Sequence, residues 1–212
     1  MTKVILVRHG QSMGNLYSLF LGHTDLGLSP LGKQQAEKVA DYLAAWPIDK
    51  IYSSDLIRAE DTVRPLAERK KLEIIPVQDL REIYAGEWEK RSYDELSELY
   101  PEAYAIFRND IGRAVPTGGE SVLSLSRRVY RAFDRIVAEN DGKTVVIATH
   151  ATPIRLLSCR FLGRDPAFAG TVKWVPNASV TVVDVDAGHY TVEQTGYDAF
   201  LGDNASAFPG NI

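Results

Sequence analysis

The sequence has a single cysteine, Cys159, among 212 residues. No intrachain disulfide can form, and reducing, cytoplasmic surroundings are the natural expectation. No apolar run approaches the ~20 residues that a membrane span needs. The start, Met1-Thr2-Lys3 and then the brief apolar run Val4 to Val7, is not expected to act as a signal peptide. Positive charge is not in excess: 24 Lys and Arg face 28 Asp and Glu, for a formal net charge of −4. That balance argues against nucleic acid or an anionic membrane as partner, since either favours a basic face. It leaves a phosphate substrate open, because a few local arginines can bind one phosphate on an acidic protein. No internal repeat and no dividing linker stand out, so a single domain over 1–212 is expected, with an irregular tail from about 196. The sequons at Asn177 and Asn204 read as chance in a chain without an export signal.

Short apolar runs alternate with helical patterns. Val4-Ile5-Leu6-Val7 is β-branched and apolar at every position, as in a strand buried on both faces. Ser29-Pro30 opens a helix with Ser29 as N-cap. Lys50 to Ser53 is a second strand, followed by a helix from about Leu56 to Lys70 that Pro65 threatens to perturb. Leu72 to Val77 is a third strand. Residues 92 to 111 read as two short helices broken near Pro101, and Glu120 to Glu139 as a long one. Thr144 to Ala148 is a fourth strand, and Thr152 to Leu162 a helix ended by Gly163. Val180 to Val185 and Tyr190 to Gln194 flank Ala187-Gly188, a hairpin signal. This pattern predicts a three-layer α/β fold, a mostly parallel sheet with helices on both faces and an antiparallel edge strand.

In such a sheet, sites gather at the carboxyl ends of the strands. Arg8-His9-Gly10 falls just past the first strand, Arg58 after the second, Arg81-Glu82 after the third and His150 after the fourth. Two arginines offer planar donors suited to phosphate oxygens. Two histidines offer a nucleophile and a further donor, and one carboxylate can carry a proton. The set has too few acidic ligands for a metal cage, so no metal and no cofactor are expected.

These residues resemble the histidine phosphatase superfamily, the phosphoglycerate mutase-like family. The resemblance is carried by Leu6-Val7-Arg8-His9-Gly10-Gln11-Ser12 with Asn15, by Leu28-Ser29-Pro30-Leu31-Gly32, and by Ser53-Ser54-Asp55-Leu56-Ile57-Arg58-Ala59 with Thr62. It continues through Leu80-Arg81-Glu82 with Gly86-Glu87-Trp88-Glu89, Gly118-Gly119-Glu120-Ser121 and Thr149-His150. The family implies that His9 is the nucleophile, its second ring nitrogen donating to a backbone carbonyl. It implies that Arg8, Arg58 and His150 grip the phosphoryl oxygens and that Glu82 serves as acid and then base. Substrate binding falls to Asn15, Gln11, Gly22, His23 and Ala151. Two departures stand out: Ala151 where glycine is common after the second histidine, and Lys90 where glycine often follows Trp-Glu.

Within the family, the mutases carry a longer basic segment after the glutamate and tend to have Thr-Gly-Trp where this chain has Leu21-Gly22-His23. Here the segment is short and acidic, with Asp94, Glu95, Glu98 and Glu102. The expectation is therefore a metal-independent phosphatase acting on small phosphomonoesters through a phosphohistidine. The mutase is the alternative, and an inert phospho-ligand-binding protein a further one. Specificity is expected to lie in Met13 to His23 and Ser92 to Pro116. The oligomeric state is not legible, with a homodimer one option.

Overall fold

The computed structural model describes residues 1–206. Six strands form one sheet: β1 (Thr2–Arg8), β2 (Lys50–Ser53), β3 (Ile74–Pro76), β4 (Thr144–Thr149), β5 (Val180–Asp186) and β6 (His189–Tyr197), in the order β3-β2-β4-β1-β5-β6. The helices are α1 (Met13–Leu16), α2 (Pro30–Leu43), α3 (Ile57–Lys70), α4 (Tyr93–Leu99), α5 (Pro101–Asn109), α6 (Val122–Ala138) and α7 (Ala151–Phe161). None is long and apolar enough to cross a membrane.

Strand periodicity builds the layers. Alternate side chains of β1 point to opposite faces, so Val4 and Leu6 join one core while Ile5 and Val7 join the other. The first core is closed by α4 to α7, with Val129, Phe133 and Leu157 among its buried members. The second is closed by α2 and α3 through Val39, Leu43, Val63 and Leu66. Ser29 caps α2 by accepting from the Gly32 N–H at 3.0 Å, with Pro30 in the first turn, as the sequence implied.

The expected antiparallel edge is present as a hairpin, and three other local expectations change. The parallel set β3-β2-β4-β1 is flanked by a hairpin added as a unit, so the reversed strand beside β1 is β5, second from the edge. The edge strand β6 is antiparallel to β5 and hence runs with β1. The third strand is shorter than expected, since the Leu72 N–H still bonds back to the Ala67 carbonyl at the end of α3 and the chain turns into a 3₁₀ helix at Gln78–Leu80. Part of the tail is ordered past 196: β6 runs to Tyr197, and 3₁₀ turns interrupted by a kink at Gly202 lie within Ala199–Asn204 and pack on α2. The rest of that tail lies outside the described residues. Helix α3 also runs through Pro65 without a break.

Register decides the site. β1 pairs with β4 so that Arg8 lies opposite Thr149, and β2 pairs with β4 so that Ser53 lies opposite Ala148. The next residue of each strand, His9, Ser54 and His150, is thereby delivered to the same carboxyl edge.

Candidate active site

A cleft opens at that edge, lined among others by Arg8, His9, Asn15, Gly22, Arg58, Glu82, Ala151 and Thr152. It is a cavity of about 80 Å³ that opens to solvent.

His9 is locked from several sides. Its Nδ1 lies 2.7 Å from the Gly10 carbonyl oxygen. A carbonyl can only accept, so Nδ1 carries the proton and Nε2 keeps its lone pair. The His9 carbonyl accepts from the Asn177 side-chain amide at 3.0 Å and from the Ala178 N–H at 3.2 Å. The ring pKa sits well below 6.5, first through burial and then through Arg58 and Arg8. The imidazole is therefore neutral at pH 7, as a nucleophile must be.

The two arginines are held at their backs. Arg58, 1% exposed, donates from Nη2 to the Gly22 carbonyl at 2.8 Å and from Nη1 to the Thr24 carbonyl at 3.0 Å. Arg8 donates to the Val175 carbonyl at 2.6 Å. Burial pulls both pKa values down to about 10, and the nearby Glu82 carboxylate partly offsets that. Both remain cations at pH 7. Arg58 also stands in the first turn of α3, where the helix dipole opposes a positive charge. The resulting field favours an anion in the cleft.

Gly22 is required for this arrangement. Its φ of +53° is left-handed, and a Cβ there would lie 2.6 Å from Glu89 Oε1. Asn15 forms a capping box with Ser12: its Oδ1 accepts from the Ser12 N–H and hydroxyl, both at 3.0 Å, and from Asn177 at 3.3 Å. With its oxygen so engaged, the Asn15 amide nitrogen is the end left to donate into the cleft. Glu82 accepts from the Ile83 N–H at 2.8 Å and from the Thr152 N–H, in the first turn of α7, at 3.2 Å.

Three expected residues sit apart from the cleft lining. His150 is fully buried, its ring centroid 5.1 Å from that of His9, with Nε2 2.8 Å from Ser54 Oγ and Nδ1 without a hydrogen-bond partner. Gln11 turns away, its Oε1 accepting from the Ser29 hydroxyl at 2.7 Å. His23 sits at the rim, Nε2 donating to the Glu82 carbonyl at 2.9 Å and the ring leaning on Tyr84. Lys90 is exposed and outside the cleft lining. Its φ of +66° lies in the left-handed region that favours glycine.

One residue that the sequence did not point to braces the segment that carries Glu82. Arg128, on α6, donates to the carbonyls of Asp79 at 2.9 Å, Arg81 at 2.7 Å and Glu82 at 2.6 Å. Its remaining donors go to both oxygens of Glu120, which also accepts from the Tyr84 N–H at 2.8 Å. All five guanidinium N–H groups are thus used on the segment that carries Glu82 and on its brace. Among the described residues no three His, Cys, Asp or Glu side chains converge as a metal-binding group.

The model of the histidine phosphatase superfamily, branch 1, matches residues 4–198. The chain belongs to the histidine phosphatase superfamily. As a member of that superfamily it is 35% identical over 221 residues to Phosphoglycerate mutase-like protein 4 of Arabidopsis thaliana, covering 96% of this chain and 94% of the other. Phosphoserine phosphatase 1 of Hydrogenobacter thermophilus is 36% identical over 165 residues, 78% of each chain. The solved structure of Bacillus stearothermophilus YhfR superposes with a TM-score of 0.90 at 28% identity, covering 95% of this chain and 100% of that one.

Proposed function

We propose that this chain is a phosphatase that hydrolyses small phosphomonoesters through a phosphohistidine on His9, without a metal. The observation that carries the reading is the His9 tautomer: Nδ1–H is spent on Gly10, which leaves Nε2 free between two buried arginines. In the first step Nε2 attacks phosphorus, the P–O bond to the alcohol breaks, and Glu82 gives its proton to the departing oxygen. In the second, Glu82 takes a proton from water as that water attacks phosphorus. The Nε2–P bond then breaks and inorganic phosphate leaves. Arg8 and Arg58 offset the charge that spreads over the equatorial oxygens. The Asn15 amide and the unpartnered Nδ1 of His150 are further groups that a phosphoryl oxygen would satisfy. Glu82 lies near both arginines, close enough to raise their pKa values, which supports its place beside the reacting phosphate.

The names of several relatives support hydrolysis, among them phosphoserine phosphatase and alpha-ribazole phosphatase. The one thiol, Cys159, is buried and free, which suits the cytoplasmic reading. The deciding experiment follows p-nitrophenyl phosphate in a metal chelator, with rapid quench into alkaline detergent. Wild type turns over and traps an acid-labile phosphoenzyme; His9→Ala does neither. Near-normal turnover by His9→Ala would refute the nucleophile, and dependence on added metal would refute the metal-free route.

A further inference from the structure

Beyond the phosphate end, the cleft changes character. Its remaining wall is Leu19, Phe20, Leu21, Tyr93, Phe107 and Trp174. The wall is drawn from stretches far apart in sequence: Leu19 to Leu21, Tyr93 with Phe107, and Trp174. The segment 18–20 is stitched to 90–93: the Lys90 N–H donates to the Phe20 carbonyl at 2.8 Å, the Phe20 N–H to Arg91 at 2.9 Å, and the Tyr93 N–H to Ser18 at 3.3 Å. Phe20 then meets Phe107 edge-on at 5.2 Å, Trp88 at 5.7 Å and Tyr93 at 6.3 Å. Trp174 is braced by the Arg155 guanidinium 4.3 Å from its ring, and Arg155 is tied to the Ala169 and Gly170 carbonyls at 2.7 and 3.0 Å. These are fixed surfaces, not loose loop side chains.

The wall carries no charge. The charged residues lining the cleft are Arg8, Arg58 and Glu82, all at the phosphate end. Burial raises the Tyr93 phenol to about 12, so it stays a neutral hydroxyl. Arg108 borders an adjoining hollow between Tyr93, Phe107 and Trp174, but that space is about 10 Å³, barely enough for one water.

We infer that the alcohol half of the substrate is an uncharged, apolar or aromatic group laid against Trp174, Phe107 and Phe20, and that esters bearing a carboxylate or a second phosphate there are poor substrates. The inference rests on the phosphatase reading and narrows it. A carboxylate pressed on this wall loses its hydration and gains no cation. A ring gains apolar burial and edge or face contacts with the aromatic wall.

The test separates binding from turnover. Benzylphosphonate and 3-phosphonopropionate share a non-hydrolysable phosphonate but differ in carrying a ring or a carboxylate. By calorimetry wild type should bind the benzyl ligand about 100-fold more tightly. Trp174→Ala should narrow that ratio to about 10-fold or less, and Leu19→Lys should narrow it by tightening the carboxylate ligand. Equal affinities in wild type, no binding of the benzyl ligand, or a ratio unmoved in both variants would overturn the inference. In parallel, kcat/KM for 2-phenylethyl phosphate should exceed that for 3-phosphoglycerate by a similar factor, and the reverse order would count against it. Failure to turn over p-nitrophenyl phosphate would refute the phosphatase reading alone, because the phosphonate ratio still judges the wall.

Discussion

Arg128 offers the sharpest test of how this site is held. Its side chain is 14% exposed, its partner Glu120 is 18% exposed, and together they fasten the carbonyls of Asp79, Arg81 and Glu82 and the N–H of Tyr84. Arg128→Ala deletes all five hydrogen bonds and leaves Glu120 without its cation. Removing one partner of a buried pair costs about 3–5 kcal/mol; some solvent reaches this pair, so we expect about 3 kcal/mol, read by chemical denaturation. Arg128→Lys is the more informative change. A lysine keeps the charge but supplies three donors from one atom instead of five in a planar fork. It can hold Glu120 and one carbonyl, but not all three. The fold should survive with a loss of about 1.5 kcal/mol, while Glu82 loses its fixed position. A misplacement of about 1 Å in a catalytic group costs about 100-fold. That loss should fall on esters whose leaving group needs a proton. We expect kcat/KM to drop about 100-fold for 2-phenylethyl phosphate and less than about 10-fold for p-nitrophenyl phosphate. Equal losses on both esters, or none on either, would refute the claim that Arg128 acts through Glu82.

Two other outcomes follow from the same geometry. Burial, ahead of any charged neighbour, depresses the pKa values of His9, His23 and His150 below 6.5 in the folded chain; the unfolded chain then binds more protons below that pH, so stability is full above about 6.5 and falls as pH drops, by up to about 1.4 kcal/mol per pH unit per histidine. A thermal midpoint that stays level or rises between pH 7 and pH 5.5 would contradict this. Gly22→Ala places a Cβ 2.6 Å from Glu89 Oε1 at a φ of +53° and should cost about 1–2 kcal/mol, with a larger loss of activity because the Gly22 carbonyl steadies Arg58; unchanged kcat/KM would show that this bond is dispensable.

Much of this was legible in the sequence because the signals were local. The unbroken apolar run at Val4 to Val7 marks a buried strand, and the Ser29-Pro30 pair marks a helix start. His9, Arg58, Glu82 and His150 each stand just past a strand, and a parallel sheet lines such positions up at one edge. What stayed hidden depends on contacts between distant residues. Nothing near Arg128 announces that it serves a loop more than forty positions earlier, and Asn177 looks like an ordinary turn residue until the hairpin carries it beneath His9. Ser54 was visible within a motif, but its partner His150 appears only with the β2–β4 register. The helix α1 was missed although Ser12 and Asn15 have capping-box spacing, since four residues are too few to show a helical period. Gln11 sits inside the most specific motif, and its side chain nonetheless serves Ser29 on the next helix.

The way the β5 end of the sheet embraces His9 has a consequence for the chain as it is made. His9 precedes in the chain the groups that position it. Its neighbour across the sheet edge, His150, is 141 positions later, and the groups that fasten Arg8 and His9 come from Val175 to Ala178. His9 is therefore not fastened until the stretch Val175 to Ala178 has been synthesised. Contacts of such separation also make for slow closure. A nascent chain stalled anywhere before that stretch carries His9 without the groups that fasten it.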